Sequence, residues 1–187
     1  MNSLKHITVN YAARSLRVLL TGIVIMLLLP AQAQPSREYS LKAVFLYNFT
    51  RFVEWPPQSF AASGDPFIIG ILGTDPFGPV LDEVASGEKV ATHPIVVKRF
   101  QHVADVDGCH ILFVGNNEAV RVNEVLASLQ SRNTLTVSDI PGFAASGGII
   151  GFTTRESKIK LQVNLAASKA SDLNISSKLL QVAEIVK

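Results

Sequence analysis

Several groupings in this chain have the residue types that chemistry needs. His102, Asp105, Asp107 and His110 bring imidazole and carboxylate donors close together in sequence, and divalent metals accept such donors. Their spacing matches no helix-borne metal motif, and His110 falls in a strand whose side chains alternate faces, so no metal centre is expected. The stretch Gly70 to Gly78 (GILGTDPFG) leaves a strand and enters a helix, as a phosphate loop does. It holds neither the dinucleotide nor the Walker pattern, and its glycines suit a tight strand-to-helix turn. Cys109 is the only cysteine, which excludes an intramolecular disulfide. At the start of an apolar strand it reads as a buried thiol, not an activated nucleophile. No Ser/His/Asp order, paired carboxylate set or nucleophile elbow stands out, so the residues support no hydrolytic enzyme.

One set of polar residues gains meaning only from the elements that carry it. PFIIGILG (residues 66–73) and CHILFVG (109–115) are apolar runs without alternation, as in strands buried on both faces of a parallel sheet. IVVKRF (95–100) and TLTVS (134–138) supply two more strands. Helices fall between them: one capped by Asp75, with Pro76 at its first position, running through Val80, Leu81 and Val84 to a stop at Gly87; another capped by Asn116, over about 117–130, with Val120, Val122, Val125, Leu126 and Leu129 as its apolar stripe. Alternating strands and helices predict an α/β fold, a three-layer and mostly parallel sheet, with right-handed crossovers placing the four strands in the order 2-1-3-4. Thr74 and Asp75, Asn116, and Asp139 then end strands one, three and four on one sheet edge, where ligands bind in doubly wound folds. They form a candidate small-molecule site, although turn and cap roles also account for each. Beyond Ile140 the pattern changes. IIGFT (149–153) and KIKLQVN (158–164) flank a four-residue turn and predict a C-terminal β-hairpin with one wet face. A short helix over 165–170 and a final amphipathic helix over 178–186 are expected to flank the sheet.

The remaining stretch is the most unusual. KAVFLYNFTRFVEWPPQSF (42–60) is phenylalanine-rich and holds the only tryptophan. At about 100° per residue, Leu41, Val44, Phe45, Phe49, Phe52 and Val53 share one side of a helix, with Asn48 among them, and Ala43, Tyr47 and Arg51 point the other way. The helix must end near Glu54, because Trp55 precedes Pro56 and Pro57. Covering the sheet explains the apolar side. It leaves Tyr47, Arg51, Trp55 and Pro56 as an exposed side and corner, rich in the residue types enriched at protein-binding hot spots.

The first 33 residues read as an export leader. Lys5, Arg14 and Arg17 precede a 12-residue apolar run, VLLTGIVIMLLL, broken by Pro30 and followed by Ala31-Gln32-Ala33. This is a secretory signal peptide, shorter than a membrane span. Residues 34–187 then form one domain with a single core. The leader removes three basic and no acidic residues, leaving 14 basic against 15 acidic and a net charge of −1. No basic patch with interleaved aromatics remains, so nucleic acid is not an expected partner.

Lys42-Ala43-Val44-Phe45-Leu46-Tyr47-Asn48-Phe49, then Arg51-Phe52-Val53-Glu54-Trp55-Pro56, resembles the opening signature of the YfiR-like family of periplasmic proteins. Ile95-Val96-Val97, Ile111 to Gly115, Thr136 to Asp139, Gly148 to Phe152 and Ile175 to Leu180 match its pattern in order, so the resemblance covers nearly all of residues 34–187. It implies an α/β regulatory domain in the periplasm with no enzymatic activity and no cofactor. It also implies a partner: the periplasmic sensor region of a membrane diguanylate cyclase, or another membrane sensor, held inactive by the bound regulator. In the best-understood relative an outer-membrane lipoprotein relieves that repression, and the relative is a homodimer that uses disulfides. Here only Cys109 is present, which excludes intramolecular disulfide control and leaves a bond between chains open.

Overall fold

The computed structural model describes residues 36–130 and 132–186; the leader expected over residues 1–33 lies outside them. The apolar runs form strands as their composition demands. β1 (Val53–Glu54) is a short ribbon strand; β2 (Phe67–Leu72) is buried at every position; β3 (Lys89–Val90) and β4 (His93–Phe100) lie at one edge. β5 (Ile111–Val114) and β6 (Leu135–Ser138) are again wholly buried. The hairpin is β7 (Ile150–Arg155) and β8 (Lys158–Asn164), closed by Glu156 and Ser157 in the left-handed region. β9 is Asn174–Ile175 and β10 is Ala183–Val186.

These strands build an eight-stranded mixed sheet in the order β10-β8-β7-β6-β5-β2-β4-β3. β4, β2, β5, β6 and β7 run parallel, while β8 returns antiparallel to β7. Helices cover both faces. On one face α1 (Arg37–Phe52) and α2 (Pro79–Ala85) bury Phe49, Leu46 and Leu81 against Phe67, Ile69, Phe113 and Val137. On the other, α3 (Val122–Ser128) covers Ile68, Leu112 and Val114 with Val125, beside Leu129 and Phe143. α4 (Leu165–Ala170) is capped by Asn164, whose side chain accepts from the Ala167 amide. α5 (Ser177–Leu180) is a single turn.

Three expectations are corrected. First, α1 is turned about its axis. The side facing the sheet is Lys42, Ala43, Leu46, Phe49 and Thr50, with Val53 beyond it, whereas Leu41 and Val44 are 48% and 40% exposed and Phe45 and Phe52 sit half-buried at the flank. Hydropathy assigns Lys42 and Thr50 to water. Each is buried because it is satisfied: Lys42 by carboxylates and Thr50 by donating to the Tyr47 carbonyl. Asn48 is half-buried, not interior. Second, the helix over 117–130 opens as a 3-10 turn, Asn116–Arg121. The tighter turn carries Val120 out to 97% exposure and buries Glu118, which accepts from Asn117 and Arg121. Third, the final helix stops at Leu180, and β10 pairs in parallel with β8, Ala183 opposite Leu161 and Ile185 opposite Val163. Backbone pairing along an otherwise open strand outweighs the helical periodicity of this short segment.

Candidate functional site

α1 crosses one face of the sheet, and each of its ends is tied to a different edge. At its N-terminal end Lys42 points into the sheet with a side chain only 4% exposed. Its Nζ donates to Asp139 Oδ2 at 2.6 Å and meets Glu38 Oε1 at 2.7 Å. The ammonium also lies 4.5 Å from the centre of the Tyr39 ring. Asp139, its side chain 8% exposed at the end of β6, accepts further bonds from the Tyr39 hydroxyl (2.8 Å) and the Asn116 amide (3.0 Å). Burial, together with the bond to Asp139, pushes the Tyr39 phenol up to about 12. Beside this network is a crevice of about 330 Å³ lined by Glu38, Tyr39, Lys42, Asp139 and Phe152 among others.

The four strand-end residues therefore divide. Asn116 and Asp139 are bonded to each other in this network. Thr74 and Asp75 serve the neighbouring turn. The Thr74 amide donates to Asn117 Oδ1 at 2.8 Å, over Gly73, where a Cβ would meet that amide at 2.4 Å and φ is +82°. Asp75 is not the helix cap expected, because α2 starts at Pro79 with Gly78 as its N-cap; it accepts from the Phe77 and Gly78 amides of the preceding turn with one oxygen and pairs with Arg99 through the other. Arg99 also binds Asp82, and that bond holds the Asp82 carboxyl below the usual range. Lys42 and Tyr39 are the members that sequence reasoning missed. A lysine among apolar residues on the sheet-facing side of a helix was the available signal.

At the C-terminal end of α1 the chain turns away at Trp55 and Pro56. Trp55 is half-buried; its indole N–H donates to the His110 carbonyl at 3.1 Å, and its ring meets Phe67 edge-on at 4.8 Å between centres. Pro56 is half-buried and precedes a 3-10 turn, Pro57–Ser59. β1 pairs antiparallel with β9, and the Asn174 amide donates to Glu54, so the exit is anchored to the C-terminal segment. Tyr47 and Arg51 lie one turn apart. Arg51 is exposed and donates to the Tyr47 hydroxyl at 2.9 Å, which in turn donates to Glu88 beyond α2. The Glu88 bond raises the Tyr47 phenol above its ordinary value. Tyr47 and Arg51 thus form one polar surface, and Trp55 and Pro56 a mostly apolar corner beyond it.

Of the four metal-type residues, His102, Asp105 and Asp107 are exposed, and His110 is buried in an aromatic column. Its ring stacks against Phe60 and against Phe67 at 4.6 Å from each, the two phenyl rings meet each other at 6.4 Å, and Phe60 stacks on His93 at 3.8 Å. Among the described residues no group of three His, Cys, Asp or Glu side chains could hold a metal ion. Cys109 is buried over Gly70, and burial pushes its thiol up to about 12, far from a reactive thiolate. Among the described residues no helix is long and apolar enough to cross a membrane.

No curated protein matches the chain. A family model described as YfiR/HmsC-like matches residues 39–184, a span that runs from Tyr39 in α1 through β2 to β9 and the hairpin to the start of β10. The chain belongs to the YfiR/HmsC-like family, whose members are periplasmic regulators of cyclic di-GMP signalling and not catalysts.

Proposed function

We propose that this family member is a periplasmic repressor that binds the outward-facing domain of an inner-membrane diguanylate cyclase and holds it inactive, lowering cyclic di-GMP. It is exported by a leader over residues 1–33 and acts through one domain, residues 34–187. The docking surface is Tyr47, Arg51, Trp55 and Pro56. The observation that supports this reading is the location of Tyr47 and Arg51 on the outer side of α1, in the same family-matched stretch as the Trp-Pro exit. Trp, Tyr and Arg supply most binding hot spots. The mechanism is a population shift: a repressor that prefers the inactive sensor conformation a hundredfold supplies about 2.7 kcal/mol towards it. Capture of membrane proteins by immobilised chain tests the surface. Arg51→Ala with Trp55→Ala is expected to weaken capture of the cyclase by at least about tenfold, the loss of one hot spot. Undiminished capture by the folded double variant removes these residues from the interface.

A second reading has one observation in its favour, the crevice lined by Lys42, Tyr39 and Asp139, the last bonded to Asn116. The chain would then be a small-molecule binding protein feeding a membrane sensor. A thermal-shift screen of metabolites tests it, because a ligand that binds only the folded state raises its stability; no stabilisation across a broad library would exclude it.

A further inference from the structure

The aromatic column has a feature that the docking surface does not use. The two ring nitrogens of His110 have fixed and opposite roles. Nε2 lies 3.1 Å from the Ser59 carbonyl, which can only accept, so Nε2 carries the proton. Nδ1 receives the Ile68 amide N–H at 3.0 Å, so Nδ1 carries none. The neutral Nε2–H tautomer is the only form that satisfies both contacts. A second proton, taken from solvent onto Nδ1, sets N–H against N–H at Ile68 in β2 and breaks that bond.

We infer that His110 is an acid-released latch: protonation at Nδ1 expels its ring from against Phe60 and Phe67 and loosens the Pro57–Phe60 turn at the sheet edge beside Trp55. The turn depends on this ring. Its own backbone bonds are local, Ser59 to Pro56 and Phe60 to Pro57. The buried Ser59 hydroxyl has no partner among the described residues. Apart from Phe60, which also meets Phe67 at 6.4 Å and His93 at 3.8 Å, its side-chain link to the rest of the fold among the described residues is an exposed bond from Gln58 to Asp172. Trp55 reads the same event, because its indole donates to the His110 carbonyl and its ring abuts Phe67.

The groups facing His110 oppose its charging. From β4, His93 stacks on the far side of Phe60, and its Nδ1–H donates to the Asp65 carbonyl. A charge on His93 works against one on His110. From the segment leading into β5 comes the neutral Cys109 thiol, from β2 the Ile68 amide and Phe67, from just beyond β1 Trp55, and from the turn Phe60 and a carbonyl. Among the described residues no carboxylate is paired with either imidazole. The phenyl faces favour a cation, but they do not replace the lost acceptor. Burial accordingly lowers the His110 pKa. As pH falls below 6.5, the ordinary value, the open form gains on the closed one by up to tenfold per pH unit until the closed form itself protonates. The link to partner binding rests on the docking reading above: the released turn adjoins Trp55 and Pro56, so acidification remodels that corner.

The latch is read on the isolated chain, where Trp55 is the only tryptophan. Emission and acrylamide quenching are followed from about pH 7.5 to about pH 5, with far-ultraviolet circular dichroism confirming that the fold persists. Wild type is expected to red-shift and quench with a midpoint below 6.5, whereas His110→Asn, whose amide oxygen can accept from Ile68 without titrating, stays unshifted. Nuclear magnetic resonance of the imidazole nitrogens covers the case of an unfolded variant: Nε2–H at neutral pH and titration below 6.5 support the latch. An unchanged Trp55 signal in folded wild type, an equal shift in His110→Asn, or titration at or above 6.5 overturns it. Capture of the cyclase at about pH 7.5 is read separately, so loss of the docking reading leaves the latch result standing.

Discussion

The two ends of α1 are fastened to the sheet by opposite means. At the N-terminal end an ammonium, two carboxylates, a phenol and an amide share one network around Asp139. At the C-terminal end, stacked rings and neutral hydrogen bonds converge on His110. Buried ion networks are costly to break singly, because each deletion strands a charge. A neutral aromatic column is weakened piece by piece, but it fails when one ring gains a charge. On the latch inference the chain has a firm end and a responsive end, and the proposed docking corner lies at the responsive one.

The largest expected effect is at the firm end. Asp139→Ala strands the Lys42 ammonium with the half-exposed Glu38 and should cost about 3–5 kcal/mol in denaturant unfolding. Lys42→Met combined with Asp139→Leu should cost less than Asp139→Ala alone, because no unpaired charge remains. Equal or larger losses in the double variant would mean that the pair is a net stabiliser. Next, Trp55→Ala removes a half-buried ring packed on Phe67 and should cost about 2–3 kcal/mol.

The pH dependence separates the ends without a deep truncation. His110 is neutral in the fold, and its pKa is lowered. Between 6.5 and that lower value the unfolded chain binds more protons than the folded one. Stability must therefore fall as the solution is acidified through this window, by at most about 1.4 kcal/mol per pH unit, and His110→Asn should flatten the slope. Tyr39 acts at the other extreme. Its phenol stays protonated up to about 12 in the fold but ionises near 10 when unfolded, so stability falls as pH rises between the two. Tyr39→Phe should reduce the alkaline slope, leaving the part that comes from the Cys109 thiol and the Tyr47 phenol, and leave the acid one intact. The smallest effect is expected from Tyr47→Phe, which breaks exposed bonds to Glu88 and Arg51 and should change stability by less than about 1 kcal/mol.

The parallel sheet and hairpin were legible in the sequence because their strands are continuous or strictly alternating apolar runs, and strand burial depends on little else. The helices were less so. The role of Lys42 was not legible because its partner, Asp139, is 97 residues away, and periodicity cannot see a long-range ion pair. Val120 looked buried because a 3.6-residue period was applied where the chain makes a 3-10 turn. β10 looked helical because only the sheet reveals that β8 would otherwise be an edge. At the candidate site, the strand-end rule brought Asn116 and Asp139 together correctly, while Thr74 and Asp75 are held by Asn117 and Arg99. His110 was read as a metal-type residue or a strand histidine, and nothing local shows that both its nitrogens are spoken for.

The central claim, repression of a membrane cyclase through the responsive end of α1, is tested most directly by cyclase activity in isolated membranes with added purified chain. Cyclic di-GMP synthesis is expected to fall with wild type, and to fall far less at the same concentration with the folded Arg51→Ala/Trp55→Ala variant. Synthesis unchanged by wild type at concentrations that saturate capture would contradict the claim.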